Sequence, residues 1–171
     1  HGGVYYQYGR HARNPKKILL KLYDLFLEKG GRFLKMNIND INFDDEKPII
    51  KTETQSFLFD KIVIACGSFS KKLTDNLDEK IPLDTERGYH VHFKDCDHLL
   101  SRPVIFQNRG FGITPMEQGL RVVGTGEFGG LDSPLSKSRG KNLIENAKYM
   151  MGDVPEHEDE WLGFRPTLPD Y

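Results

Sequence analysis

The sequence predicts a mixed α+β and α/β chain: an N-terminal α/β segment, a mostly antiparallel sheet with one flanking helix, and a short extended return. Three observations carry this. A capped helical period spans Asn14 to Gly31, an unbroken apolar run at Ile62 to Cys66 ends in glycine, and short strand-like runs separated by turn signals follow from Ile81 onward.

Asn14-Pro15 starts the first helix, with a capping side chain followed by proline at the first helical position. Ile18, Leu19, Leu22, Leu25 and Phe26 recur at helical spacing behind it, and Gly30-Gly31 stops the run. Phe33 to Phe43 reads as a strand whose alternation changes parity near Asn39-Asp40, where a bulge or turn is expected. Pro48 to Thr52 and Ser56 to Phe59 form a hairpin pattern. Ile62-Val63-Ile64-Ala65-Cys66 has no polar alternation, as expected of a strand covered on both faces. It stops at Gly67, and Ser68 or Ser70 is placed to cap a helix through Leu73 and Leu77, the geometry that lets a ligand approach the end of a buried strand.

Ile81 to Leu83, Tyr89 to Phe93, Val104 to Phe106, Gly112 to Thr114 and Leu120 to Gly124 are the strand-like runs of the second segment. Ser133-Pro134 starts a second helix with Leu143, Ile144, Ala147, Met150 and Met151 on one face, ending near Gly152 before an acidic linker, Glu156 to Glu160. Gly163 to Asp170 cannot be helical, because Pro166 and Pro169 remove two donors and hold the backbone extended. Arg165 sits in that stretch, where a planar fork can make a two-point contact with a carboxylate.

Composition narrows the function classes. With 24 Lys and Arg against 25 Asp and Glu spread along 171 residues, no basic stripe for nucleic acid emerges. The longest apolar run, Ile62 to Cys66, is too short to cross a bilayer and no leader pattern opens the chain, so the expectation is a cytoplasmic protein, with peripheral attachment at the inner membrane as an alternative. Cys66 and Cys96 form no Cys-x-x-Cys pair and suggest neither a disulfide framework nor a zinc site.

Several motifs read as structure. Gly124-Thr125-Gly126-Glu127-Phe128-Gly129 matches a dinucleotide pattern, but Leu131 to Pro134 intervenes before helix signals begin, so no phosphate loop is expected. His90 and His92 share a strand face without a convincing third ligand, so no metal site is expected. Glu127 fits a structural carboxylate better than a catalytic one, and Tyr89 is either a half-buried sheet tyrosine or a phenol offered to a polar ligand.

Four blocks in order, Asp60 to Ser70, Pro82 to Tyr89, Val123 to Gly130 and Trp161 to Asp170, resemble the FAD-dependent D-amino-acid oxidase superfamily. The nearest likeness is to bacterial D-amino-acid dehydrogenases of the small-subunit type, with glycine and sarcosine oxidases as cousins. The resemblance implies a Rossmann-like, partial FAD-binding domain at 1–78, an antiparallel substrate-binding domain at 79–155 and a return segment to the FAD domain at 156–171. It implies that Ile38 meets the adenine through its backbone, that Ala65, Cys66 and Gly67 approach the FAD, that Arg165 grips the substrate carboxylate, and that Tyr89 lines the substrate pocket. The expected reaction is oxidation of the Cα–N bond of a D-amino acid to an imine, then a 2-oxo acid and ammonia. Oxygen, a quinone or a protein is the electron acceptor. The alternatives are a glycine or sarcosine type of amine oxidase and a non-catalytic binding module of a multi-subunit flavoprotein. The family's opening glycine-rich turn and its final glycine turn and helix have no counterpart here, so the chain reads as an internal fragment, and FAD is expected of the full-length protein, with its retention by this chain alone left open.

Overall fold

The computed structural model describes residues 2–170. Its elements in chain order are α1 (Pro15–Glu28), β1 (Asp40–Asp44), β2 (Lys47–Lys51), β3 (Ser56–Leu58), α2 (Ser70–Asp75), β4 (Asp84–Lys94), β5 (Val104–Phe106), β6 (Phe111–Met116), β7 (Gly119–Phe128), α3 (Lys137–Met151) and β8 (Trp161–Thr167). Short 3-10 turns occupy Gly67–Phe69, Asp97–Leu99 and Gln107–Arg109. One sheet has the order β1-β2-β3 and the other β5-β6-β7-β4-β8. The mixed fold class read from the sequence is the observed one.

Two compact units interleave along the chain. The first comprises His1–Gly31, Tyr89–Thr125 and Leu135–Leu162; the second comprises Arg32–Gly88, Gly126–Pro134 and Gly163–Tyr171. Strands β4, β7 and β8 each contribute residues to both.

In the first unit, the alternation of β4 places Tyr89, Val91 and Phe93 inward, where they meet Phe111 and Ile113 of β6, Leu120 and Val122 of β7, and Leu143 and Ala147 of α3. Pairing of β5 with β6 and of β6 with β7 is antiparallel, with Val104 opposite Ile113 and Ile113 opposite Val122. Helix α3 buries Leu143 and Ala147 as its period requires, and Ile144 and Met151 pack at the edge of the same core. Gly152, at φ 75°, closes it.

Helix α1 forms where the sequence places it, and Asn14 accepts the Lys17 amide at 3.1 Å. Its start is tied to the β6–β7 turn: Glu117 receives the Lys17 ammonium and the Asn14 amide, and the Glu117 backbone donates to the Arg13 carbonyl at 3.0 Å. Yet no residue of α1 is buried, and Leu19 is 67% exposed. The amphipathic stripe is present, but the described residues do not cover it.

In the second unit, β1 and β2 form a two-residue hairpin in which Asp45 and Glu46 take positive φ, 43° and 68°, the hand that matches strand twist. The predicted hairpin of β2 with β3 is present and antiparallel. Asn76 beyond α2 donates to Asp40 of β1 at 3.0 Å.

Five expectations are corrected. The strand expected over 33–43 exists only from Asp40, because pairing with β2 begins there. Residues 62–66 form no strand and Val63 is 86% exposed; a run covered on both faces needs a ladder neighbour and two covering layers, and the described residues supply neither. Ile81 to Leu83 is irregular, and β4 begins at Asp84. Neither Ser68 nor Ser70 caps α2; Ser70 Oγ instead accepts the Cys66 amide at 3.2 Å. Helix α3 starts after Ser136 rather than at Ser133-Pro134, whose carbonyls accept from the Arg87 guanidinium at 2.7 and 3.1 Å and so are not free to open a helical ladder. Among the described residues no helix is long and apolar enough to cross a membrane.

Gly119 opens β7 at φ 146°, and a Cβ there would run into the Phe93 carbonyl oxygen of the neighbouring strand. Gly119→Ala should therefore cost roughly 2–5 kcal/mol in urea unfolding of the whole protein. Gly110→Ala, also left-handed at φ 66° but with open space around it, should cost only about 1–2 kcal/mol.

Candidate functional site

In the second unit, the end of β8 and the turn at Gly67 come together. Phe164 of β8 meets Phe69 edge-on, with ring centroids 5.9 Å apart. Arg165 is the next residue along β8, and strand alternation turns its side chain to the face opposite Phe164. Arg165 is well exposed, and its guanidinium donates to Glu86 of β4 at 3.0 Å. A carboxylate of the protein itself thus occupies the fork that the sequence points toward a carboxylate ligand.

Two residues of the β4–β7 region brace this site. Arg87 is 1% exposed, holds the Ser133 and Pro134 carbonyls, and lies 3.5 Å from Glu127. Glu127 thus forms an ion pair with the buried Arg87 guanidinium. The guanidinium also fills the space beside Gly129, where a Cβ would stand 3.0 Å from it. Arg87 fixes the course of residues 126–134, and the dinucleotide-like glycines serve close backbone approach.

The expected cofactor contacts fall in the same unit. Ala65, Cys66 and Gly67 are exposed, and Gly67 has φ 56° with open space where a side chain would stand. Ser68, next to them, is 5% exposed and its hydroxyl has no hydrogen-bond partner. Small exposed residues and accessible backbone fit a flat ring system laid against this turn. Ile38 is 39% exposed in the irregular segment before β1.

Tyr89 lies in the first unit. It is 2% exposed, and its hydroxyl accepts the Ser136 amide at 3.2 Å at the start of α3, with Arg139 5.8 Å from the ring centroid. His90 and His92, on the opposite parity of β4, are part-exposed, and His90 stacks on Trp161 with centroids 4.6 Å apart. Among the described residues no group of three or more His, Cys, Asp or Glu is placed to hold a metal.

Glu86 and the Phe69–Phe164 pair escaped the sequence reading. The signal for Glu86 was available in Glu86-Arg87-Gly88-Tyr89-His90, because period two separates it from the buried Arg87 and Tyr89. Nothing in the sequence could have matched Phe69 to Phe164, since 95 residues separate them in number.

The described residues form a mixed α/β chain with an antiparallel sheet, an exposed glycine turn and an arginine held by a neighbouring strand. Comparison with known proteins makes the class specific: residues 1–171 match the family described as FAD dependent oxidoreductase (DAO), and the chain belongs to it. It is 26% identical to a D-amino-acid oxidase of Bradyrhizobium diazoefficiens over 98% of this chain and 41% of that protein. It is 29% identical to a D-amino acid dehydrogenase of Neisseria gonorrhoeae over 87% of this chain and 37% of that protein. The chain thus spans about two fifths of the length of these relatives. Its fold is similar to that of glycine oxidase from Geobacillus kaustophilus, with a TM-score of 0.71 and 22% identity over 82% of this chain and 39% of that one. It is also similar to that of L-proline dehydrogenase from P. horikoshii, with a TM-score of 0.78 and 13% identity over 91% and 44%.

Burial, then the Arg121 charge, then His92, hold the His90 imidazole down to about 4. The unfolded chain, with the usual value near 6.5, therefore takes up a proton that the folded chain refuses. Stability should be unaffected by this group above about pH 6.5, fall as pH drops from there toward 4, and change no further below. A thermal melt series should show a shallower acid-side loss in His90→Phe, which keeps a ring against Trp161; identical slopes would remove His90 from the acid response.

Proposed function

We propose that this chain forms part of a FAD-dependent oxidoreductase that oxidises the Cα–N bond of a small amino acid, and that Arg165 grips the substrate carboxylate. The observation that carries this reading is the exposed Arg165 guanidinium holding a carboxylate, that of Glu86, at 3.0 Å on the extended β8. In this proposal Ala65, Cys66 and Gly67, with the backbone at Ile38, hold the FAD, and 1–78, 79–155 and 156–171 serve as cofactor segment, substrate segment and return. The names of the relatives from Bradyrhizobium and Neisseria favour a D-amino acid as substrate.

FAD, when bound, supplies the two-electron acceptor for the Cα–N oxidation. The chain's own residues orient the substrate. Glu86 holds one nitrogen of the Arg165 fork between β4 and β8, and an incoming carboxylate replaces Glu86 and engages the fork through two oxygens. Exchange of one carboxylate for another keeps the guanidinium paired throughout, and fixing the carboxylate restricts where the Cα hydrogen points. Tyr89, buried and bonded to Ser136, enters as a positioning residue that sets the start of α3. The imine product hydrolyses to a 2-oxo acid and ammonia, a step that needs no nucleophile from the protein.

In the whole protein, Arg165→Ala should raise KM for D-amino acids about 10- to 100-fold, the equivalent of a charge-assisted hydrogen bond. Folding should be little changed, because the side chain is 71% exposed. Glu86→Gln should lower KM by removing the internal competitor. Steady-state kinetics over a panel of D-amino acids, L-amino acids and glycine reads both effects; unaltered kinetics with flavin retained would take Arg165 out of the site.

A further inference from the structure

We propose that the first unit carries a second, separate site: a cleft beside the start of α1 in which Arg121, His90 and His92 receive the oxyanion group of a small carboxylate or phosphate compound. The cleft, about 280 Å³, is lined by these three residues together with Lys16, Glu117 and Glu158 among others. That volume is at the low end for ligand pockets and suits a small anion rather than a nucleotide.

The arginine carries the argument. Arg87 and Arg165 both hold carbonyl or carboxylate oxygens. Arg121 does not: no carboxylate of the described residues pairs with it, and its Nε, like that of Arg87, is buried without a hydrogen-bond partner among them. Burial pushes its pKa down, and Glu158 only partly offsets this from a distance. A half-buried guanidinium stays charged at any ordinary pH, so a missing counter-ion leaves a desolvation cost that a bound anion would remove.

The surroundings fit an anion. His90 and His92 line the cleft with Arg121 and have ring nitrogens able to donate, and Lys16 adds an exposed ammonium. Of the two acids, Glu117 is engaged by Lys17 and Asn14, which hold its carboxyl below the usual range. Glu158 is exposed, and its backbone is pinned to the His92 carbonyl at 2.9 Å. The helix end itself is not the anchor, since Asn14 already caps it. The lining residues belong to the first unit and Arg165 to the second, so this site does not rest on the proposed role of Arg165.

Isothermal titration of the whole protein with malonate and, separately, with inorganic phosphate, at constant ionic strength in chloride, tests it without reference to activity. Saturable binding of either anion is expected, weakened at least tenfold by Arg121→Gln and unchanged by Arg102→Gln, an exposed arginine of the same unit. Binding of malonate alone assigns a carboxylate ligand; binding of phosphate alone assigns a phosphate compound. Lys16→Gln, an exposed change that leaves packing intact, should weaken binding about threefold and serves if Arg121→Gln fails to fold. Absence of saturable binding by both anions, or equal affinities in wild type and both cleft variants, overturns the proposal.

Discussion

Strand β4 turns Thr85, Arg87, Tyr89, Val91 and Phe93 to one face and Glu86, His90 and His92 to the other, and this parity constrains the sheet around it. Three aliphatic or aromatic residues of the inward set, with their partners on β6, β7 and α3, supply most of the contiguous apolar core of the first unit. At about 25 cal/mol per Å² of buried apolar surface, such a cluster dominates the stability of a unit this small. A slip of one residue would bury Glu86, His90 and His92 and expose Tyr89, Val91 and Phe93, so the register is strongly determined. The polar face is the other consequence: any chemistry on this strand must use the residues that the core rejects.

Strands β7, β4 and β8 are consecutive in the sheet, and each carries an arginine in a different electrostatic state. Arg87 is buried and held by two carbonyls, so it acts as a structural brace. Arg165 is exposed and borrows the Glu86 carboxylate, which keeps it extended yet exchangeable. Arg121 is half-buried, with the Glu158 charge near it but no carboxylate of the described residues in ion-pair contact. The same side chain is thus buried on carbonyls, exposed on a carboxylate or half-buried without either, according to the water and the oxygens that its strand position gives it.

Helix α1 shows how local and tertiary forces separate. Its cap, its proline and its link to Glu117 fix where it begins, and helical period fixes its stripe. Neither requires that the stripe be covered, and here Ile18, Leu22 and Leu25 remain exposed. The irregular course of 62–66 has the same origin, since an apolar run becomes a strand only when another strand completes its hydrogen bonds.

Elements set by neighbours in the chain were legible from residues alone: the Asn14 cap and Gly30 stop of α1, the β2–β3 hairpin, the inward set of β4, the extended course around Pro166. So was the extended segment that carries Arg165, because proline and period-two alternation act over a few bonds. Tertiary structure alone decided that Glu86 pairs with Arg165, that Phe69 meets Phe164, that Tyr89 is buried against β6, β7 and α3, and that Arg121 meets Glu158 and the histidines of β4 at one cleft. Each of these is a contact between residues far apart in number, and its free energy depends on distance and on exclusion of water, neither of which the order of residues records.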